Sequence, residues 1–553
     1  MTERELTLFS AMSDIGDDLV LESGAFLPAL KGPAALGVTL RGQDDGPAKE
    51  KKKRAPWFIP TAVAACVATV TAVGILVGVI GQSLGFFPIK PPKDTTVESE
   101  TSTEEPSETV DESGMDTGEG ESESSSDPVV EEKDYGLPFT ALYCSDTFDK
   151  GYYFDRADGS AYALSEAVYQ RIRHTEEYLG VEISAVDGGN QDTYYASSIS
   201  SANAGKDDYQ WILTHSHKGL VSLMISTCLL DLKGAEGLNL GAAHWEPDQN
   251  EKLTVSGKQL IAYNNFLLPE GYVLAFDRGM VNGKLDVDEL YRLVEDKGWT
   301  LEAMETYVTA FGDGSGERYG MSCAGEMPLA AFVTSSDIQV LDHSGKRITL
   351  TAMEKSGRGA AVDALLYGLS ESWEIYAYDP EKGHMPIRLG AGQVAFEAVT
   401  LSEVIRMGGD VDVGILPYPL FDRNQESYRT LYVGGYMAVP CTVKHQDMVW
   451  DVLEVLAKES APVREAYLDA VLTGGGCTSV KDRAMLTLVA DSMTVEQGLA
   501  LMDVHSRMEA IMMAIPRHLE GDGAYGTNVP YLWSQASKKI DDLVRAVGTL
   551  PGS

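Results

Sequence analysis

The sequence has few basic residues for its length. Lysine and arginine number 44 among 553 residues, against 83 aspartates and glutamates, and the formal net charge is −39. A protein that binds nucleic acid needs a basic face for the phosphates, so the composition argues against a nucleic-acid partner. The length suits several domains. Residues 135–553 nevertheless lack an internal repeat and a second linker.

The sequence also lacks a motif that would identify an enzyme. His215 and His217 have a spacing that could ligate a metal, but zinc needs three or four ligands and no further cluster stands nearby in the sequence. The glycines of "GDGSGERYG" are flanked by Asp313 and Glu317, which would repel phosphate, and no P-loop lysine follows. We therefore predict that the protein is not an enzyme and has no catalytic residue, metal or cofactor.

Cysteine is scarce. Of the six cysteines, five lie beyond residue 88, and an odd number cannot all pair within one chain. Their apolar surroundings predict buried small side chains, with at most one or two disulfides. These five are Cys144, Cys228, Cys323, Cys441 and Cys477.

One long apolar run is present. Residues 58–84 contain no charged residue over 27 positions, more than the roughly 20 that span a bilayer. Basic residues at 49 and 51–54 precede the run, and an acidic flank follows it, so the positive-inside rule places the N-terminus in the cytoplasm. We predict a single-pass protein of the cell membrane with a cytoplasmic tail at 1–54, a transmembrane helix at 55–87 and an extracellular C-terminal domain.

An acidic segment follows the predicted membrane helix. Between Asp94 and Asp134 there are sixteen carboxylates and one lysine, mixed with Ser, Thr, Gly and Pro. Like charges repel one another and the segment is too polar to form a core, so residues 88–134 are predicted to be a disordered linker.

The cytoplasmic tail carries a short amphipathic pattern. Leu8, Met12, Ile15 and Leu19 recur at helical spacing above an acidic face. The stretch 9–22 resembles the N-terminal tails of single-pass Firmicutes proteins proposed to act as anti-sigma factors, which implies a sigma factor as a partner. The alternative is a plain cytoplasmic overhang of the membrane anchor.

Residues 135–553 alternate between short β-like runs and amphipathic helices, which predicts an α/β fold. A strand is predicted at Thr140–Asp146, a helix with Leu164 through Leu179 on its buried face and Gly180 at its end, and a second strand at Tyr209–Ser216. This order favours a parallel sheet. Thr300 and Asp447 are predicted to cap two later helices.

Four segments in this region carry a resemblance to a known family. They are "HWEPDQNEKLTVSGKQLIAYNNF", "GYVLAFDRGMV", "LYRLVEDKGWTLEAMETY" and "GILPYPLFDRNQESY". Their order resembles the family 1 extracellular solute-binding proteins, which have a type 2 periplasmic-binding fold and serve ABC importers. The likeness covers residues 138–548.

The resemblance implies a two-lobed fold with a hinged cleft and an ABC permease as a partner. Lobe one would comprise about 138–265 and 431–480, and lobe two about 266–430 and 481–550. The segment Leu260–Phe276 would carry the chain from the first lobe into the second. A ligand would settle between facing strand ends of the two lobes.

The candidate cleft residues are rich in aromatic rings and amides, which favours a carbohydrate ligand. Rings stack on the apolar faces of sugars, and Asp, Asn and Gln bond the hydroxyls. The predicted ligand-binding residues are Tyr143, Ser145, Asp146, Thr214, His215, Ser216, Trp245, Tyr263, Asn264, Asn265, Glu397, Tyr418, Gly435 and Tyr436. The alternative for the tyrosines is ordinary packing, and for Asp146 and Glu397 it is solvated loop polarity.

Other tryptophans are assigned differently. Trp299 directly precedes a capped helix and is predicted to anchor that helix. Trp211 and Trp373 are candidates for stacking platforms, although tryptophans also serve as core residues.

Overall fold

A computed structural model describes most of the chain beyond the acidic segment. The described residues are 130–155, 162–190, 193–214, 219–314, 317–324, 327–342, 348–350, 357–372, 375–378, 388–407, 411–477, 479–500 and 525–550. The predicted cytoplasmic tail, membrane helix and most of the predicted linker lie outside these ranges. No helix within them has the length and apolar character that a membrane crossing requires.

Strands and helices alternate along the described chain. The strands are β1 (Leu137–Tyr143), β2 (Val181–Asp187), β3 (Trp211–Thr214), β4 (Tyr272–Asp277), β5 (Tyr319–Ala324), β6 (Leu341–Asp342), β7 (Thr349–Leu350), β8 (Ile375–Tyr378), β9 (Val394–Thr400), β10 (Val413–Leu416), β11 (Thr430–Leu431), β12 (Tyr436–Ala438) and β13 (Met493–Thr494). The helices of the first half are α1 (Lys150–Tyr153), α2 (Tyr162–Leu179), α3 (Tyr194–Asn203), α4 (Leu220–Ile225), α5 (Pro247–Glu251), α6 (Arg278–Asn282), α7 (Val287–Glu295) and α8 (Leu301–Phe311). Those of the second half are α9 (Met327–Ser335), α10 (Arg358–Glu371), α11 (Leu401–Arg406), α12 (Gln446–Lys458), α13 (Ala461–Gly474), α14 (Val480–Asp491), α15 (Gln497–Ala500) and α16 (Tyr525–Gly548).

The strands form two main sheets. The first has the order β12-β3-β1-β2, in which β1 pairs in parallel with both β2 and β3, and β12 is antiparallel to β3. The second has the order β10-β4-β9-β5-β8 and is mixed, because β5 is parallel to β8 and β9 whereas β4 is antiparallel to β9 and β10. The α/β class is confirmed. The described residues all lie in one compact unit.

Helix α2 forms where its sequence pattern predicts it. Leu164, Val168 and Leu179 are fully buried at helical spacing. Gly180 follows with a φ of +59°, a left-handed conformation that glycine adopts without strain and that ends the helix before β2. The helix therefore covers the first sheet with the predicted face.

Two predicted helix caps have different outcomes. Thr300 caps α8, because its hydroxyl accepts a hydrogen bond from the amide of Ala303. The prediction for Asp447 is wrong, because α12 begins at Gln446 after His445 and Asp447 lies within the first turn. A carboxylate there still favours the positive end of the helix dipole.

The last residues of the predicted linker lie on the folded part of the chain. The amide of Lys133 donates to the carbonyl of Tyr178, and the hydroxyl of Tyr178 donates to the carbonyl of Val130. Both Lys133 and Tyr135 also bond Asp451 on α12, each at 2.6 Å. Val130 and Lys133 therefore both bond residues of the folded domain.

The five cysteines in the described part of the chain carry free thiols. Four are buried, and Cys441 is half-buried. Burial raises the pKa of the Cys323 and Cys477 thiols to about 12, so both stay protonated and inert at neutral pH. They pack as small apolar side chains.

Candidate functional site

The ends of β1 and β3 form one edge of the first sheet. Both strands run in the same direction, and they end at Tyr143 and Thr214. The loop after β1 contacts the loop after β2, because the amide and the hydroxyl of Ser145 both donate to the carbonyl of Gly189. Several predicted ligand residues therefore come together at this edge.

Gly435 lies against the same edge. The hydroxyl of Thr214 donates to the carbonyl of Tyr436 at 3.1 Å, opposite it in the β3–β12 pair. A Cβ added at Gly435 would lie 2.1 Å from the carbonyl oxygen of Thr214 and 2.3 Å from the ring of Phe148. Only glycine fits this close approach of two backbones.

Two chain segments cross side by side from the first sheet to the second. Ala262 forms an antiparallel bridge with Met437 in β12. Gly271, directly before β4, forms another with Tyr432. Residues 263–270 and 433–436 thus link the sheets in opposite directions.

Aromatic side chains pack where the crossing segments meet the first sheet. The ring of Tyr432 lies 4.7 Å from that of Tyr263 and 6.0 Å from that of Tyr436, and the rings of Trp211 and Phe266 are 4.5 Å apart. All are buried. The crossing cluster is defined as Trp211, Tyr263, Asn264, Asn265, Phe266, Tyr432 and Tyr436.

The crossing cluster contains polar atoms that no protein group satisfies. Nδ2 of Asn264, Oδ1 of Asn265, the hydroxyl of Tyr436 and Nε1 of Trp211 are buried without a hydrogen-bond partner. Buried polar groups are nearly always bonded, to protein or to a bound molecule. Three of these four residues are among the predicted ligand residues, and the fourth is a predicted stacking platform.

Two arginines hold the crossing segment, the buried Arg171 and the half-buried Arg464, and sequence reasoning missed both. Arg171 on α2 donates to the carbonyl of Tyr153 and to the hydroxyl of Ser460, each at 2.8 Å, and its guanidinium lies 4.0 Å from the ring of Phe266. Burial lowers the pKa of Arg171 to about 9. Arg464 on α13 donates to the carbonyl of Leu267 at 2.9 Å. Arg171 lies in a helix that the sequence predicts and Arg464 in one that was not predicted, and a lone arginine in either gives no signal of its backbone partner.

The crossing segment ends at a buried carboxyl group. Glu270 accepts hydrogen bonds from the hydroxyl of Tyr467 and from the amide of Ser402. Burial raises the pKa of Glu270, and these bonds partly offset that effect. The carbonyl of Glu270 accepts the amide of Val433 on the opposite crossing segment.

Of two further predicted ligand residues, Glu397 lies in the second sheet and Tyr418 lies two residues after its strand β10. Glu397 on β9 accepts Nη1 of Arg388 at 2.6 Å and the amide of Leu389 at 2.9 Å, and burial raises its pKa. Tyr418 is buried beside Phe332 and donates to the carbonyl of Pro328 at 2.9 Å. In this structure both side chains form hydrogen bonds with protein groups.

Trp245 and Trp299 also form hydrogen bonds with protein groups. Trp245 is fully buried, and its Nε1 donates to Glu454 on α12 at 2.8 Å. His244 bonds the other oxygen of the same carboxylate at 2.6 Å. Trp299 donates to the carbonyl of Pro417 at 2.9 Å and packs directly before α8, as a helix anchor would.

The remaining predicted residues divide into exposed and undescribed ones. Ser145 and Asp146 are exposed, and Asn265 is half-buried. His215, Ser216 and Trp373 lie outside the described residues. Within the part of the chain that is described, no group of three or more His, Cys, Asp or Glu side chains could hold a metal ion.

Comparisons with known proteins give solved structures alone. No family model and no curated protein matches the chain. An ABC substrate-binding protein from Listeria monocytogenes in complex with cycloalternan is 12% identical, covers 74% of this chain and 99% of its own, and gives a TM-score of 0.46. The GacH receptor of Streptomyces glaucescens is 13% identical, with 74% and 98% covered and a TM-score of 0.47.

A third similar structure comes from Bifidobacterium longum. It is the galacto-N-biose-/lacto-N-biose I-binding protein of an ABC transporter in complex with lacto-N-biose, 12% identical, with 75% of this chain and 99% of that chain covered and a TM-score of 0.48. At these identities and TM-scores, the likeness assigns no ligand to this chain.

Proposed function

We propose that the folded part of this chain captures a small solute, an oligosaccharide, between two lobes that close around it. Lobe one comprises 138–265 and 431–480, and lobe two comprises 266–430 and 481–550. The composition of the sheets supports this division, because the strands of the first sheet fall in lobe one and those of the second in lobe two. A ligand drives closure only through its higher affinity for the closed form.

The observation that carries the proposal is the set of unpartnered polar atoms in the crossing cluster. Asn264 presents a donor, Asn265 an acceptor and Tyr436 a hydroxyl, all next to aromatic rings. A sugar supplies hydroxyl groups that both donate and accept, together with apolar faces that pack on rings. The fourteen predicted residues remain the proposed ligand positions, and those that are buried here become accessible when the lobes open.

A thermal-shift experiment tests the proposal. The full-length protein, purified in detergent, is titrated with a panel of soluble oligosaccharides. A ligand that binds only the folded form raises the free energy of unfolding, by about 2.7 kcal/mol at one hundred times Kd, so the melting temperature rises with ligand concentration.

The variant Tyr436→Phe sharpens this test. It removes the unpartnered hydroxyl and keeps the ring, so the folding of the free protein is preserved while affinity for the sugar falls. The absence of a shift across the whole panel overturns the carbohydrate assignment. Unchanged affinity in Tyr436→Phe removes the crossing cluster from the site.

The role of the captured solute depends on the segments before residue 130. We propose that the predicted membrane helix tethers the domain outside the cell, where it delivers the solute to an ABC permease. In the alternative function, ligand-driven closure acts through the helix on the anti-sigma-like tail. A pull-down with residues 1–54 separates the two, since recovery of a sigma factor supports signalling and recovery of no partner favours capture.

A further inference from the structure

A polar cavity is lined by none of the fourteen predicted ligand residues, although Glu496 in its lining lies close enough to Tyr436 to raise the pKa of that hydroxyl. Its volume is about 160 Å³, and four separate parts of the chain line it. They are Lys252 after α5, the end of α9 with the following turn, Arg429, and residues 494–497. A cavity of about 150 Å³ holds a molecule the size of benzene, so this one suits roughly six to ten non-hydrogen atoms.

Only two of the four charged side chains that line the polar cavity form a salt bridge with each other. Nε of Arg429 lies 2.8 Å from Oδ1 of Asp337, and these two charges neutralise each other. Nζ of Lys252 donates to two neutral groups, Gln249 at 3.0 Å and Thr494 at 2.5 Å. Among the described residues, no carboxylate comes within 4 Å of that ammonium group.

Glu496 is the opposite charge without a paired cation. Its side chain is buried, and one oxygen accepts the amide of Gly498 at 3.3 Å. Burial raises the pKa of Glu496 to about 7, and the positive charges of Lys252 and Arg429 partly offset this rise. The polar cavity thus holds one cation and one carboxyl group that lack a salt bridge to each other.

Two further polar atoms in the lining have no hydrogen-bond partner. They are Oγ1 of Thr334 and Oε1 of Gln497, and both side chains are more than nine-tenths buried. Oε1 of Gln497 can only accept a hydrogen bond, and the carboxylate of the neighbouring Glu496 likewise accepts. Glu496 already accepts hydrogen bonds from the backbone of Gly498 and Val340, whereas Oε1 of Gln497 has no donor and calls for one from a bound molecule.

We propose that the polar cavity binds a small zwitterion of the α-amino acid class. The ligand's ammonium group bonds Glu496 and Gln497, and its carboxylate faces Lys252. A simple anion would be repelled by Glu496, and a simple cation would be repelled by Lys252, because Arg429 and Asp337 already pair with each other. A neutral polyol would form no salt bridge with either Lys252 or Glu496.

Calorimetric titration of the full-length protein tests the proposal. Glycine, L-alanine, L-serine and L-threonine fit the volume, and each is compared with two probes that lack one charge, propionate and L-alaninamide. At least one of the amino acids is expected to bind at least tenfold more tightly than both probes. No binding by any of the four at millimolar concentration, or equal binding by propionate, overturns the proposal.

Variants locate the site. Glu496→Gln and Lys252→Met are each expected to weaken amino-acid binding at least tenfold. Glu251→Gln is the matched control, because Glu251 is an exposed carboxylate next to Lys252 in sequence and does not line the cavity. Equal affinity in Glu496→Gln and the unaltered protein contradicts the proposal.

The pH dependence gives a second readout. Lys252, Arg429 and Asp337 are the other charged groups in the lining. Protonation of Glu496 as the pH falls below about 7 removes its attraction for an ammonium group, so affinity should drop there and Glu496→Gln should abolish the drop. An affinity that is flat from pH 5 to pH 8 in the unaltered protein contradicts the assignment of Glu496.

Discussion

At the crossing cluster, aromatic rings fill the space between chain segments. At the polar cavity, charged side chains surround a space that they do not fill. At the crossing, the guanidinium groups of Arg171 and Arg464 donate hydrogen bonds to backbone carbonyls. At the cavity, Lys252 bonds only neutral groups and Glu496 has a raised pKa. The crossing cluster is therefore held in a fixed geometry, whereas the polar cavity contains charged side chains that are not neutralised.

The largest effect should come from adding one carbon at the crossing. In Gly435→Ala, the new Cβ meets the backbone carbonyl of Thr214, which cannot move without disturbing the β3–β12 pair. We expect the free energy of unfolding to fall by about 3 kcal/mol, measured by chemical denaturation. The control is Gly368→Ala on α10, where no atom lies within 4 Å and alanine should be neutral or slightly stabilising.

At the polar cavity, the next largest effect should depend on pH. The pKa of Glu496 is about 7 in the folded protein and near 4.5 when unfolded, so the folded state binds this proton more tightly. The associated stability is full at low pH and is lost as the pH rises through about 7.

Glu496→Gln removes this loss. Denaturation at pH 5 and pH 8 should show a difference in unfolding free energy that is smaller in the variant by about 2 kcal/mol. Glu251→Gln should leave that difference unchanged. An identical pH profile in both variants would mean that Glu496 titrates normally.

A pair of hydroxyl deletions compares bonded and unbonded tyrosines within the crossing cluster. The hydroxyl of Tyr432 donates to the carbonyl of Gly435 at 2.8 Å, whereas that of Tyr436 has no partner. Tyr432→Phe should lower the unfolding free energy by about 1 kcal/mol, and Tyr436→Phe should leave it unchanged or slightly raised. Equal losses would show that a protein group or tightly held water satisfies Tyr436.

The smallest effect should come from the same deletion at the cavity. Thr334→Val replaces a buried, unpartnered hydroxyl with a methyl group of similar size. We expect a change in unfolding free energy of no more than about 0.5 kcal/mol, without loss of structure by circular dichroism. A larger loss would indicate that Oγ1 of Thr334 has a partner in solution.

Sequence patterns predicted local elements better than they predicted partners. The i, i+4 pattern of Leu164 and Val168 and the hydroxyl of Thr300 act within a few residues, and both led to correct helices. The strand predicted at Thr140–Asp146 is displaced, since β1 spans Leu137–Tyr143 and the polar residues after it form a turn. Asp447 failed as a cap because α12 begins one residue earlier, at Gln446, after His445, whose side chain makes no capping hydrogen bond.

The polar cavity could not be predicted because its charges are far apart in sequence. Lys252, Arg429 and Glu496 lie on three different segments, and none belongs to a recognisable motif. Trp245 shows the same limit, since its partner Glu454 is more than two hundred residues away. Periodicity reports which face of an element is buried but not which distant group it meets.

The absence of disulfide bonds among the cysteines of the described ranges has a practical consequence for producing this protein. Since no disulfide bond joins any of the five cysteines in the described ranges, reductant should neither unfold the domain nor scramble its connectivity. Heterologous expression in a reducing cytosol should therefore yield the same folded domain as export to an oxidising compartment.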